Sequence, residues 1–192
     1  MQSRLKQLSI YLPAVFIVLL LSACENDINK VKAIAAADAT KPIQRTTRVD
    51  MILSDSGYVK AQLTAPLLIQ YDIKKDPYSV MPKTVKVILY KRDLNKDITI
   101  TADTGYYYKE KDIIIFKKNV VSTRMEDGVV YKSEELIWDK NKKQIYSNKQ
   151  VLMTKPNGDQ MIGTSFVSDD KFLNPKFENS TAIIHVDGNL AQ

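Results

Sequence analysis

The sequence predicts an all-β domain built from antiparallel hairpins. Three observations lead there. Apolar and polar residues alternate over several stretches, turn residues separate those stretches at short intervals, and one hairpin-sized unit recurs along the chain.

In the first stretch, "YVKAQLTA", Val59, Ala61, Leu63 and Ala65 share one face, and Lys60, Gln62 and Thr64 share the other. "TVKVILY" does the same with Val85, Val87 and Leu89, and "ITITAD" with Ile98, Ile100 and Ala102. A period of two marks half-buried strands, and no stretch from Arg45 onward has a convincing helical period. Asp127-Gly128 and Asn157-Gly158 read as two-residue hairpin turns, because these residues tolerate positive φ. Asp55-Ser56-Gly57, "DLNKD" (93–97), "KEKD" (109–112) and "DKNKK" (139–143) read as further reversals. Gly57 sits where a turn enters a strand, so positive φ or close approach is expected there. Gly163 lies inside a strand pattern, which predicts a bulge or tight packing.

The recurring unit has an offset of 31 residues, which carries Tyr107 onto Trp138, Ile114 onto Ile145 and Val120 onto Val151. A further shift by the same offset lays "GTSFVSDDKF" over "KSEELIWDKN". Such a repeat implies stacked units, each unable to bury its apolar face alone.

The N-terminus is of a different kind. "MQSRLKQLS" carries Arg4 and Lys6 and no acid, and "IYLPAVFIVLLL" follows. About a dozen apolar positions suit the core of a signal peptide and are short for a span of roughly 20. The run ends in "LSAC", which looks like a lipobox, so Cys24 is expected to become the acylated first residue of the mature chain. The other reading is an uncleaved N-terminal anchor ending in a free cysteine. The expected organisation is a signal peptide over 1–23, the lipidated cysteine with a polar, alanine-rich spacer over 24–44, and one domain over 45–192.

Arg4 and Lys6 contribute two of the net +6 charges. In a cytosolic protein a pI near 9 would suggest nucleic acid; here the leader argues against it, and no basic stripe is interleaved with aromatics, so no nucleic-acid partner is expected. Cys24 is the only cysteine, so no disulfide can form within the chain.

Groups for catalysis are scarce. His185 is the single histidine and alternates with Ile184 and Val186, as a strand residue would. Glu134-Glu135 and Asp169-Asp170 are sequence neighbours, which on strands point to opposite faces. No G-x-S-x-G, phosphate-binding loop or dinucleotide fingerprint occurs, and a zinc site would lack a second histidine. No enzymatic activity, metal or cofactor is expected. What remains is an apolar sheet face, which is either a closed core or a trough for acyl chains.

Over roughly residues 45–190 the chain resembles the LptC family, the periplasmic component of lipopolysaccharide export. The likeness rests on "TADTGYYY", "NVVSTRMEDG", "YKSEELIWD" and "MIGTSF" followed by "SDD", in order and spacing. It implies a twisted, partly open antiparallel β-jellyroll of two sheets, tethered in the periplasm to the inner membrane. Its interior would take lipopolysaccharide acyl chains from the inner-membrane ABC transporter and pass them to an LptA-like bridge protein by edge-to-edge strand pairing. Well-known members keep an uncleaved transmembrane helix, so "LSAC" departs from the pattern. By alternation, the residues expected to line the seam are Leu63, Val85, Val87, Leu89, Ile98 and Ile100 in the first half. In the second half they are Ile113, Ile115, Val120, Leu136, Trp138 and Val151. Gly57 and Gly163 match glycines that matter for function in the family, which implies a role in partner docking. Two other classes stand beside this reading: a scaffolding envelope lipoprotein with a closed β core and no glycolipid cargo, and a hydrolase with an unrecognised site.

Mass spectrometry of the mature protein is expected to show an acylated Cys24 at the N-terminus; an intact Met1 end would contradict the lipobox reading.

Overall fold

The structure, a computed structural model, describes residues 42–73 and 76–185. The leader, Cys24 and the spacer up to residue 41 lie outside them. The first half contains β1 (Pro42–Asp55), β2 (Tyr58–Tyr71), β3 (Tyr78–Met81), β4 (Val85–Tyr90), β5 (Lys96–Ala102), β6 (Thr104–Tyr108) and β7 (Ile113–Arg124). The second half contains β8 (Val130–Asp139), β9 (Gln144–Ser147), β10 (Val151–Thr154), β11 (Gln160–Gly163), β12 (Ser165–Asp169), β13 (Lys176–Glu178) and β14 (Thr181–Ile183). β1 begins at Pro42, slightly ahead of the change of texture at Arg45.

Every pairing is antiparallel, and together they stack the chain in layers that are each folded in two. β2 pairs with β4 through Ala61–Thr64 and with β3 through Ile69–Tyr71. β7 pairs with β6 through Ile113–Lys117 and with β5 through Ile98–Thr101 opposite Val121–Arg124. β8 likewise divides between β9 and β10. The short strands come in couples, β3 with β4, β5 with β6, β9 with β10, β11 with β12, and β13 with β14. The outcome is a V. Its first arm holds β4, β5, β10, β11 and β14; its second arm holds β3, β6, β9, β12 and β13; β1, β2, β7 and β8 run through both. The two expected sheets are therefore one hydrogen-bonded network, creased along a corner.

The crease has a backbone cause. Arg48, Thr84, Lys118, Asn119 and Asn179 all lie at the corner with positive φ, between 42° and 65°. That region is costly for side-chain-bearing residues, and asparagine tolerates it best. The corner is held by hydrogen bonds between layers: the Thr84 N–H donates to Asp103 O at 2.8 Å, and the Asp103 N–H to Lys118 O at 3.0 Å. The Asn119 side chain donates to the Asp103 carboxylate at 2.7 Å. Pro66 stands opposite Arg48 where β2 turns this corner, so its missing N–H takes no bond from the ladder.

Turn chemistry differs from expectation in one respect. The tight two-residue hairpin is Ser56-Gly57, with φ of 52° and 81°, both positive as a type I′ turn demands. Asp127-Gly128 and Asn157-Gly158 sit in wider loops, where Gly128 and Gly158 supply a single left-handed residue each.

The repeat is structural. Tyr107 pairs with Ile114, and 31 residues on Trp138 pairs with Ile145. Asp112 and Lys143 occupy the same left-handed place in successive turns, φ 54° and 52°. Each turn holds the next: the Lys140 N–H donates to Asp112 O, and the Asp170 N–H to Lys143 O.

Gly163 fits its expected tight approach. A Cβ there would lie 2.9 Å from Phe177 Cβ and 3.1 Å from Glu178 O, both on β13. Gly163→Arg must therefore push β13 away. Hydrogen exchange is expected to quicken over 160–183 while β1–β8 keep their protection; global loss of protection would show that Gly163 supports the whole fold instead.

Candidate functional site: the seam between the arms

Folding each layer in two gives every layer two inner faces. On the first arm, one register row runs Met51, Leu63, Val87, Ile100, Ser122, Tyr131, Met153, Met161. On the second, a row runs Ser79, Tyr107, Ile114, Trp138, Ile145, Ser168. The two rows face each other across one apolar cluster.

Ten of the expected seam residues lie in that cluster. Leu63, Val87 and Ile100 form the row just described; Leu89 and Ile98 lie one step toward the open side of the V; Val85, Val120 and Val151 lie toward the corner; Leu136 and Trp138 face them from the second arm. Ile113 and Ile115 do not. They are half-buried on the outer face of the second arm, and Ile114 and Phe116 point inward in their place. "IIIF" is apolar at every position, so alternation cannot choose its face. The repeat could have chosen it, since Ile114 aligns with the buried Ile145. His185 also departs from expectation: β14 ends at Ile183, and His185 is exposed. Its N–H donates to Asp159 Oδ1 at 2.9 Å, and its ring lies against Gly158.

The seam contains three polar atoms that find no partner among the described residues: Ser122 Oγ, Trp138 Nε1 and Ser168 Oγ. All three residues are at most 5 % exposed and sit on the inner rows. An unpaired buried donor or acceptor costs about 1–3 kcal/mol, so a partner supplied to any of the three would be favourable.

The two halves of the seam differ. The N-terminal half is aliphatic. The C-terminal half is filled by Tyr131, Phe166, Phe172 and Phe177, with ring centroids 4.7 Å apart for Tyr131–Phe172 and 5.1 Å for Phe166–Phe177. Phe172 belongs to no strand. It arrives on the loop between β12 and β13 with φ 56°, fully buried. Asp169 builds that loop, accepting the N–H groups of Lys171 at 2.9 Å and Leu173 at 3.0 Å on Oδ1, and the Asn174 amide on Oδ2. Burial alone would raise the Asp169 pKa, but these donors outweigh it and hold the carboxyl below its usual range. Arg124, paired with Asp127, donates to Phe172 O and so links the first arm to the loop of the second.

Beside this link, the open side of the V carries a cleft of about 630 Å³. Its first lip is formed by Lys60, Leu89, Tyr90, Lys91, Arg92, Asp97, Arg124 and Glu126, its second by Trp138, Asp170, Lys171 and Leu173. Trp138 thus joins the seam to the cleft. Among the described residues, no group of His, Cys, Asp and Glu is arranged to hold a metal ion.

At the ends of the stack, β1 pairs only with β2, β14 only with β11 and β13 only with β12 among the described residues. Both ends leave strand edges whose N–H and C=O groups can accept another strand. Gly57 lies at the tip of the β1–β2 hairpin, where a Cβ would meet nothing within 4 Å. Gly163 lies one strand in from the opposite end.

A family model described as lipopolysaccharide-assembly, LptC-related, matches residues 10–171. No curated protein matches the chain.

Asp169→Ala is expected to lower stability by about 1–3 kcal/mol through lost acceptors, and Phe172→Ala by about 3–5 kcal/mol through a core void; thermal or denaturant unfolding checks both. The depressed Asp169 carboxyl stabilises the fold fully above the ordinary carboxylate range and loses that effect as pH falls through its lowered value. The intrinsic-rate-corrected protection of the Leu173 amide should therefore hold from pH 7 to 5 and collapse only below about pH 4.

Proposed function

We propose a function from one premise: the chain belongs to the LptC-related family of lipopolysaccharide assembly, and so is a component of lipopolysaccharide transport. The protein acts as a conduit with no chemical step. Acyl chains part the two arms from the open side of the V and lie between the inner rows. The observation that carries this reading is the seam itself, an apolar interior running the length of the stack with three orphaned polar atoms inside it.

The energetics suit such a role. Each buried methylene is worth about 0.8 kcal/mol, so several acyl chains need tens of kcal/mol to cross water unaided. A groove that replaces water with leucine, valine and isoleucine side chains levels the path, and ATP hydrolysis elsewhere drives the cargo along it. The chain delivers its N-terminal side to the inner membrane, through acylated Cys24 or, as second choice, an uncleaved helix. β1 is then the edge offered to the ABC transporter, and β13 with β14 the edge offered to the LptA-like bridge protein. Extending the stack by strand addition on both sides keeps the inner rows of neighbouring proteins continuous. Gly57 and Gly163 serve docking through these two edges. A scaffold with a permanently closed core is the contrasting reading.

Photo-crosslinkers at Val87, Ile100 and Ile114 should trap lipopolysaccharide in cells, while Lys86 and the outward-facing Ile115 should not. Equal labelling at inner and outer positions would favour the scaffold. Gly163→Arg should reduce copurification with the bridge protein by tenfold or more while the domain stays folded; unchanged recovery would remove β13–β14 from the docking surface.

A further inference from the structure

We infer that the cleft on the open side of the V is a recognition site for the phosphorylated, acylated sugar of the cargo: Lys60, Arg92 and Lys171 take the phosphate, and the indole N–H of Trp138 takes an acyl-linkage carbonyl. This rests on the conduit reading and adds to it a site that reads the headgroup.

Two independent observations meet there. The first is charge. Five cationic side chains line the cleft against the three acids Asp97, Glu126 and Asp170. Two of the five are engaged within the protein, Lys91 with Glu126 at 2.8 Å and Arg124 with Asp127. Lys60, Arg92 and Lys171 make no ion pair among the described residues, and Lys60 and Arg92 come from one lip while Lys171 comes from the other. Arg92 is positioned over the Tyr58 ring, 5.1 Å from its centroid, which orients the guanidinium without using its donors. The second observation is Trp138. It is 5 % exposed, lines the cleft from below, and keeps a buried Nε1–H with no acceptor among the described residues. An indole N–H can only donate. An ester or amide carbonyl lying between the sugar and its chains is an acceptor at that depth. Leu89, 8 % exposed, flanks it as the apolar start of the seam, while Leu173, 59 % exposed, stands on the lip. The vertical order is thus cations at the rim, one donor beneath them and aliphatic surface below. It matches an amphiphile whose phosphate, carbonyls and acyl chains follow in the same order.

Trp138 is the only tryptophan in the chain, so selectively excited tryptophan emission reports on this cleft alone. The full chain in nanodiscs is titrated with three probes: a short-chain diacylated glucosamine 1-phosphate, its phosphate-free counterpart, and inorganic phosphate. The phosphorylated glycolipid should shift the emission and bind at least tenfold tighter than the phosphate-free one. The triple variant Lys60→Gln, Arg92→Gln, Lys171→Gln should erase that preference and leave binding of the phosphate-free probe unchanged. Trp138→Phe, followed by calorimetry, should weaken both glycolipids several-fold. Equal affinity of the two glycolipids for the unaltered chain overturns the headgroup site and leaves the conduit standing. Binding of inorganic phosphate as tight as that of the glycolipid overturns the assignment to an acylated sugar. Binding of neither glycolipid overturns both readings.

Discussion

The crease along the corner is the constraint from which the other features follow. Left-handed backbone at Arg48, Thr84, Lys118, Asn119 and Asn179 bends the stack where a flat sheet would otherwise continue. Without that bend the inner rows would be one face of an open sheet, exposed to water along its length. With it, Leu63, Val87 and Ile100 look across at Ile114, Trp138 and Ile145, and an interior exists. The corner conformations are unfavourable one by one. They persist because layer-to-layer hydrogen bonds such as Thr84 to Asp103 and Asp103 to Lys118 hold them, and because bending buries both arms. The side opposite the corner is closed by turns and by the Arg124 bond to Phe172 O rather than by continuous strands.

Strand identity was legible in the sequence wherever polar residues broke the apolar ones. "YVKAQLTA", "TVKVILY" and "ITITAD" alternate cleanly, and their inward faces are those alternation assigns. "IIIF" carries no such mark, and there the inward face falls on Ile114 and Phe116, one residue away from the expected Ile113 and Ile115. The corner was not legible, because none of its five positive-φ residues is glycine and three, Arg48, Thr84 and Lys118, have no local preference for that conformation. Only the surrounding ladder imposes it. The aromatic filling escaped notice for a related reason. Phe172 lies in a loop and reaches the interior through Asp169 and its three donors, a contact set that sequence periodicity does not encode. The hairpin turns show the same division: the dipeptides mark reversals, but loop length decides the turn type, and only Ser56-Gly57 has two residues.

The seam grades from aliphatic at the β1 end to aromatic at the β14 end. Aliphatic side chains change rotamer easily and can yield to a flexible chain. The cluster around Phe172 is stiffer and is fixed by the Arg124 link between the arms. The end near β1 is therefore the yielding half, and the loop between β12 and β13 closes the other. The recurrence at 31 residues explains how one short domain builds a continuous interior: each unit repeats the same inward pair, Tyr107 with Ile114 and then Trp138 with Ile145, so the lining is periodic along the axis.

The central claim is that the arms separate to admit acyl chains. Spin labels at Asn95 on the turn between β4 and β5 and at Asn141 on the turn of the second arm, read by double electron–electron resonance, test it most directly. Loading with lipopolysaccharide should lengthen and broaden the distance between them relative to the unloaded protein. A distribution identical in the two states, with lipopolysaccharide bound, would mean that the V stays shut and the cargo travels outside it.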